Sequence, residues 1–298
     1  MLEKAFGAGA KISSLGLPNL YSVHNNVTLN FSGTQISYLN LTSLRNVYGG
    51  STLDFSGAQF SGSAHLPIIS LYESSTLDFR NCTGLLSLDA TSLMIYYTSN
   101  ITCSGCKSLR SANFQSLPSI VYGKLDLSGC TALSSLYFDS LRTIKLTSLN
   151  FSGCTSLTTL SLHSAYEIEG CNIDASGCIG LTGTSQFNSL RRMTKTSSHQ
   201  LILDFSGCIG LTGVDLSNCE MDSYTKLLFP NSGVTSFNLT GATITSDDRL
   251  SLNTFTNLAN LNLTDCTAPS GAGIILHTDR NGVTAITNPN NIQIYYAD

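Results

Sequence analysis

The sequence predicts a β-rich repeat solenoid: a right-handed parallel β-solenoid of about ten turns, mostly of 24 residues, forming one domain over residues 1–298. Three observations predict it. A short apolar–polar–apolar motif returns at a constant interval, a second alternating segment returns in phase with it, and the composition favours strands and turns over helices. Only 11% of the residues are charged, below the roughly 25% usual in soluble domains, so helix-favouring Glu, Lys and Arg are scarce. Gly, Ser, Thr and Asn are abundant instead, a mixture suited to short strands between tight turns.

The first repeating element is Leu53-Asp54-Phe55-Ser56-Gly57. It returns as Leu77-Asp78-Phe79, Ile101-Thr102-Cys103-Ser104-Gly105, Leu125-Asp126-Leu127-Ser128-Gly129, Leu149-Asn150-Phe151-Ser152-Gly153 and Ile173-Asp174-Ala175-Ser176-Gly177, with Leu29-Asn30-Phe31-Ser32-Gly33 upstream. The anchors at 29, 53, 77, 101, 125, 149 and 173 are each 24 apart. Alternation sends Leu53 and Phe55 inward and Asp54 outward, and Gly57 supplies a turn position with φ > 0.

The second element has the form Leu157-x-x-Leu160-x-Leu162, with Ile168 six residues on, and Leu133, Leu136, Phe138, Leu141 and Ile144 repeat it one turn earlier. Early repeats run one residue shorter here (Ile36, Leu39, Leu41, Leu44, Val47) and recover it in Tyr48-Gly49-Gly50-Ser51-Thr52. The expectation is two short strands per turn, stacked at ~4.8 Å so that neighbouring turns bury one continuous core. Beyond residue 202 the interval loosens. Leu203 follows its predecessor by 30 residues and Phe237 follows that by 34, before Leu261 restores 24. The array divides into regular repeats over 5–202, irregular ones over 203–266 and a C-terminal cap over 267–298, with Ile274-Ile275-Leu276 and Ile292-Gln293-Ile294-Tyr295-Tyr296 as closing strands.

A net charge of −4 carries no basic footprint for nucleic acid, and no apolar run approaches the ~18 residues of a membrane insertion. The opening Met1-Leu2-Glu3-Lys4-Ala5-Phe6-Gly7 lacks the apolar core, roughly 7–15 residues long, of a secretory leader, so no signal peptide is expected in the chain as given.

Cys82, Cys106, Cys130, Cys154, Cys178 and Cys208 share one repeat position with Thr34 and Ala58, and are expected to form a ladder of reduced, buried thiols. Cys103-x-x-Cys106 lacks the second ligand pair that zinc needs, so no cofactor is expected. Asn30, Asp54, Asp78, Asp126, Asn150, Asp174, Asp204, Asn238 and Asn262 form an outward column. Stacked carboxylates suit calcium, but their mutual repulsion and the tendency of Asx side chains to cap a following Ser-Gly turn favour a structural role.

Tyr48, Tyr72 and Tyr96 recur at one position, with His24 in the same column and Tyr97 and Tyr122 close by. Such a stripe suits recognition of a sugar or a protein, and equally the covering of a solenoid corner. Outward residues of the second strand, Asn40, Asp89, Asn113, Tyr137 and Ser161, are expected to lie alongside as a continuous binding strip. Arg191 and Arg192 open the segment 191–199, where the interval lengthens, and it reads as a bulge that is either simply solvated or part of a binding face. The five His are scattered and neither a nucleophile elbow nor a phosphate loop occurs, so the chain is not expected to be an enzyme.

Phe151-Ser152-Gly153-Cys154-Thr155-Ser156-Leu157-Thr158-Thr159-Leu160-Ser161-Leu162 resembles the unit of BspA-like leucine-rich-repeat proteins, a likeness that covers roughly residues 5–266. Leu44-Arg45-Asn46-Val47-Tyr48-Gly49-Gly50-Ser51-Thr52-Leu53 is similar to the solenoids of receptor L domains. The first resemblance implies a bacterial or phage-encoded surface protein that adheres to a protein or glycan on a cell surface, placed extracellularly, at the cell surface or on a virion, with no catalytic residues. The functional expectation is a non-enzymatic binding and adhesion module. The alternative is a bacteriophage tail or receptor-binding virion component. A carbohydrate-active β-solenoid enzyme is a distant third, since it requires a convergent acid/base cluster.

Overall fold

The computed structural model describes residues 11–12, 14–66, 69–160, 162–187, 189–222, 224–230, 233–246, 249–277 and 285–296. Over these the chain is a parallel β-solenoid of about 11 turns at ~24-residue spacing, without helices. Each turn has three sides, not two. In one turn they are the strands Thr76–Asp78, Ser87–Asp89 and Met94–Ile95. Each pairs in register with its equivalent one turn away: Leu77 with Leu53 and Ile101, Leu88 with Ala64 and Ala112, Ile95 with Leu71 and Ile120. The sequence reading grouped this side's single inward residue per turn, Val47, Ile144 or Ile168, with the second strand, because one inward residue shows no alternation of its own.

Register also corrects the 34-residue interval. Leu203 pairs with Leu227 on the first side, whereas Phe237 pairs with Val214 and Leu261 on the second. Val214-Asp215-Leu216-Ser217-Asn218-Cys219 has the same pattern as Leu203-Asp204-Phe205-Ser206-Gly207-Cys208, so a comparison by motif alone jumps from one side to the next. Asn238 and Asn262 therefore leave the first-side column and stack on Asp215. The 30-residue interval from Ile173 to Leu203 is a true insertion between paired residues, and it sits after the third-side strand Arg192–Thr194. In the last residues Gly273–Leu276 and Ile294–Tyr296 pair in parallel, as do Asn260–Asn262 and Ala285–Thr287, so the described part of 267–298 continues the winding.

The core is filled by complementary columns. On the first side the second inward residue runs Phe79, Cys103, Leu127, Phe151, Ala175, Phe205, while on the second side of the same turns it runs Ala90, Phe114, Phe138, Leu162, Phe187, Leu216. In these turns a phenylalanine on one side faces a smaller residue on the other, which keeps turn volume nearly constant. Cys103 thus replaces a ring because Phe114 supplies one. Rings that follow each other up a column stack, Phe31–Phe55 at 5.2 Å and Phe55–Phe79 at 5.0 Å between centroids.

The corner after the third side keeps the phase. Early turns make it with two residues at positive φ, Gly49 (63°) with Gly50 (71°) or Glu73 (52°) with Ser74 (64°). Later turns use one, Leu146 (50°) or Gly170 (57°), and the residue saved reappears between the second and third sides. Among the described residues the third side forms a sheet of 10 strands, the first side sheets of 9 and 3, and the second sheets of 6 and 5. A further sheet of 3 short strands lines a corner of the N-terminal turns.

Candidate binding face

Two repeated groups that look chemical prove structural. All six ladder cysteines are fully buried free thiols. Each donates its S–H to a backbone carbonyl in the turn before: Cys82 to Phe55 at 3.0 Å, Cys106 to Phe79 at 2.9 Å, and Cys130, Cys154, Cys178 and Cys208 to Cys103, Leu127, Phe151 and Ala175 at 3.1 Å. Phe55 O also accepts the amide of Ala58 within its own turn, so the thiol uses that carbonyl's second lone pair. Desolvation holds the Cys208 thiol at about 12 and the Cys171 thiol at about 11. The outward Asx residues cap turns. Asn30, Asp54, Asp126, Asn150, Asp174 and Asp204 each accept the amide two residues on, at 2.8–3.0 Å.

The same cap operates on the second side. Asn40 accepts Thr42 N at 3.0 Å, Asp89 accepts Thr91 N at 3.2 Å and Asn113 accepts Gln115 N at 3.0 Å. Asp89 is further occupied by His65, whose Nδ1 lies 2.8 Å away. These three are half-buried turn caps, and of the second-side candidates Tyr137 alone is a ring that stands free, 43% exposed. Ser161 lies outside the described residues.

Tyr48, Tyr72 and Tyr96 are on a different side. They follow the inward Val47, Leu71 and Ile95 of the third-side strands, so a corner separates them from Asn40, Asp89, Asn113 and Tyr137 and no single strip joins the two groups. The expectation treated the tyrosines as a corner directly beside the second strand, whereas a third strand lies there and sets them one side further on. On the third side the rings stack in pairs, His24 on Tyr48 at 5.2 Å and 19°, Tyr72 on Tyr96 at 5.0 Å and 8°. Tyr96 Oη also donates to Met94 Sδ at 3.1 Å. The corner beside this column carries Tyr97 (φ 47°, 64% exposed) and Tyr122 (φ 58°, 50% exposed). Further along, the same face becomes ionic. Lys145 Nζ lies 2.9 Å from Glu167 and 3.1 Å from Glu169, and the Glu167 hydrogen bond holds the ammonium above its ordinary range. Arg192 reaches Glu167 at 3.6 Å and Glu220 at 3.7 Å.

Comparison with known proteins adds little to this geometry. Neither a protein-family model nor a curated protein matches the sequence. Among solved structures the chain is similar to one in the TLR13–ssRNA13 complex, at 12% identity and TM-score 0.21, covering 93% of this chain and 55% of that one. It is also similar to the plant peptide hormone receptor RGFR1 in complex with RGF2, at 11% identity and TM-score 0.13, covering 98% and 92%. This chain thus spans about half the length of the first, covering 55% of it. At these TM-scores neither likeness bears on function, and the fold stands on the strand register itself.

Arg191 and Arg192 are not in the bulge. The insertion begins at Lys195, whose Nζ sits 3.3 Å from the centroid of the Tyr224 ring, and closes through Thr196 N to His199 O at 2.9 Å. Arg191 instead stacks on the third-side corner above Tyr166 and Arg142, since Tyr166 N donates to Arg142 O at 2.8 Å and Arg191 N to Tyr166 O at 2.9 Å. With Ser164 and Ser189 these three line an open cleft of about 320 Å³. Sequence reading missed Arg142 and Tyr166 because they lead into a side it did not recognise; aligning residues two before each third-side inward position, Ile144, Ile168 and Met193, brings all three into one column.

Proposed function

We propose that this chain is a non-enzymatic recognition module whose binding face is the aromatic end of the third side, around His24, Tyr48, Tyr72, Tyr96, Tyr97 and Tyr122, and whose ligand is a protein or glycan. One observation carries the reading: Tyr97 and Tyr122 are exposed rings held at positive φ. A non-glycine residue there costs roughly 1–2 kcal/mol, and glycine serves at equivalent corners (Gly49, Gly50, Gly170). Two strained tyrosines left in water beside a column of half-buried rings are poor design for stability and good design for contact, since a tyrosine offers large area with little rotamer entropy to lose. The BspA-like repeat pattern supports the same reading, and with it display at a cell surface or on a virion.

The test is a glycan array and a whole-cell binding assay with the intact chain and a Tyr48→Ala/Tyr72→Ala/Tyr96→Ala variant. Binding should fall at least tenfold in the variant with circular dichroism unchanged. Binding retained by both this variant and a Tyr97→Gly/Tyr122→Gly variant defeats the reading.

A further inference from the structure

The Arg142–Tyr166–Arg191 cleft lies on the corner that leads into the third side, where Arg191 Nη1 donates to Leu190 O at 3.3 Å. All three side chains are exposed, Tyr166 at 60%. Charge is scarce in this chain, with 15 Lys and Arg in all, yet two of them flank one tyrosine on consecutive rungs of one corner. Elsewhere on this part of the solenoid cations meet carboxylates: Lys145 takes Glu167 and Glu169, and Arg192 takes Glu167 and Glu220. Those carboxylates are thereby committed, and Arg142 has no ion pair among the described residues.

We infer that this cleft is a second binding site, for a sugar that carries a ring-borne carboxylate such as a uronic or sialic acid. The guanidinium fork matches a carboxylate with two parallel N–H···O bonds, the Tyr166 face accepts the C–H face of a pyranose, and Ser164 and Ser189 complete the lining, the Ser164 hydroxyl donating to Asp139 O. Arg142 and Arg191 stand two rungs apart, about 10 Å at the strand spacing, with the ring between them. That arrangement reads a charged group on either side of a stacked ring. A volume of about 320 Å³ admits one saccharide unit, not a folded partner. An acidic peptide is the poorer fit. Peptides gain affinity by adding a strand to a free edge, and the strands here, Thr143–Lys145, Glu167–Glu169 and Arg192–Thr194, are paired on both sides.

The site extends the recognition-module reading and is tested apart from it. Intact chain is titrated by calorimetry with trigalacturonate, sialyllactose, neutral lactose and a Glu-rich hexapeptide. At least one acidic sugar should bind, lactose should not, and affinity should fall at least fivefold between 50 and 300 mM salt. Arg142→Ala and Tyr166→Ala should each weaken binding tenfold or more, Arg142→Lys should recover part of it, and circular dichroism should be unchanged. The Tyr48→Ala/Tyr72→Ala/Tyr96→Ala variant should bind the acidic sugar as the parent does, so loss of one site leaves the other measurable. The inference is overturned if neither acidic sugar binds, if Arg142→Ala binds as the parent does, or if the hexapeptide binds more tightly than both sugars.

Discussion

Carrying the chain into alkali tests the four buried thiols that desolvation governs, Cys171, Cys208, Cys219 and Cys266. Burial raises Cys171 and Cys266 to about 11, and Cys208 and Cys219 to about 12, against 9.0 for a thiol in water. Below pH 9 the folded and unfolded chains both keep these protons, and pH has no leverage through them. Above pH 9 the unfolded chain releases them and the folded chain holds them, so stability falls as pH rises towards the folded values. Each such thiol removes about 1.4 kcal/mol per pH unit in that window. Four of them remove roughly 5–6 kcal/mol within one unit, comparable with the ~5–15 kcal/mol of a whole domain. The chain should therefore unfold near pH 10, in a transition much narrower than one ionisation. Pulsed alkylation across pH 8–11, read by intact mass, should show unmodified chains and chains modified at all 10 cysteines, with little between. Gradual one-by-one labelling while circular dichroism stays native would refute the argument, because it requires thiols that ionise inside the fold.

Three further outcomes follow from the same geometry. Replacing Tyr97 and Tyr122 together by Gly removes αL strain of ~1–2 kcal/mol at each site and loses about as much in partial burial and unfolded-chain entropy, so the melting temperature should stay within about 3 °C while ligand binding drops; a loss of 10 °C would mean that the rings are packing residues. Gly84→Ala should cost well over ~2 kcal/mol, because φ is +73° and the new Cβ would overlap the Phe60 carbonyl oxygen; a melt unchanged within a degree contradicts this. Cys130→Ser should cost only about 1 kcal/mol by denaturant titration, since the hydroxyl can donate to the Cys103 carbonyl as the thiol does, and Cys130→Val should cost more.

The first side was legible almost entirely. Leu53-Asp54-Phe55-Ser56-Gly57 states its own inward, outward and turn positions, and the structure stacks Leu53 on Leu77 and caps Ser56 from Asp54 at 2.8 Å. The cysteine column was legible too, because Thr34 and Ala58 in the same slot mark it as small and buried. What alternation cannot reveal is a side only two or three residues long with one residue pointing in, and from that omission came the merged strip of Asn40, Tyr137 and Tyr48. Nor can a motif repeated on two sides tell which side it belongs to, as Phe237 demonstrates. Strained rings were beyond reach for another reason: Tyr97 and Glu73 occupy the same corner, and nothing in the residue names announces a positive φ.

The third side has a mechanical consequence. Among the described residues it runs as one ladder of 10 strands, from Ser22–Val23 to Thr243–Ile244. Its parallel hydrogen bonds join each turn to the next and so point close to the axis of winding. A pull on the two ends therefore loads these rungs in series, and every turn of the ladder shares the same force.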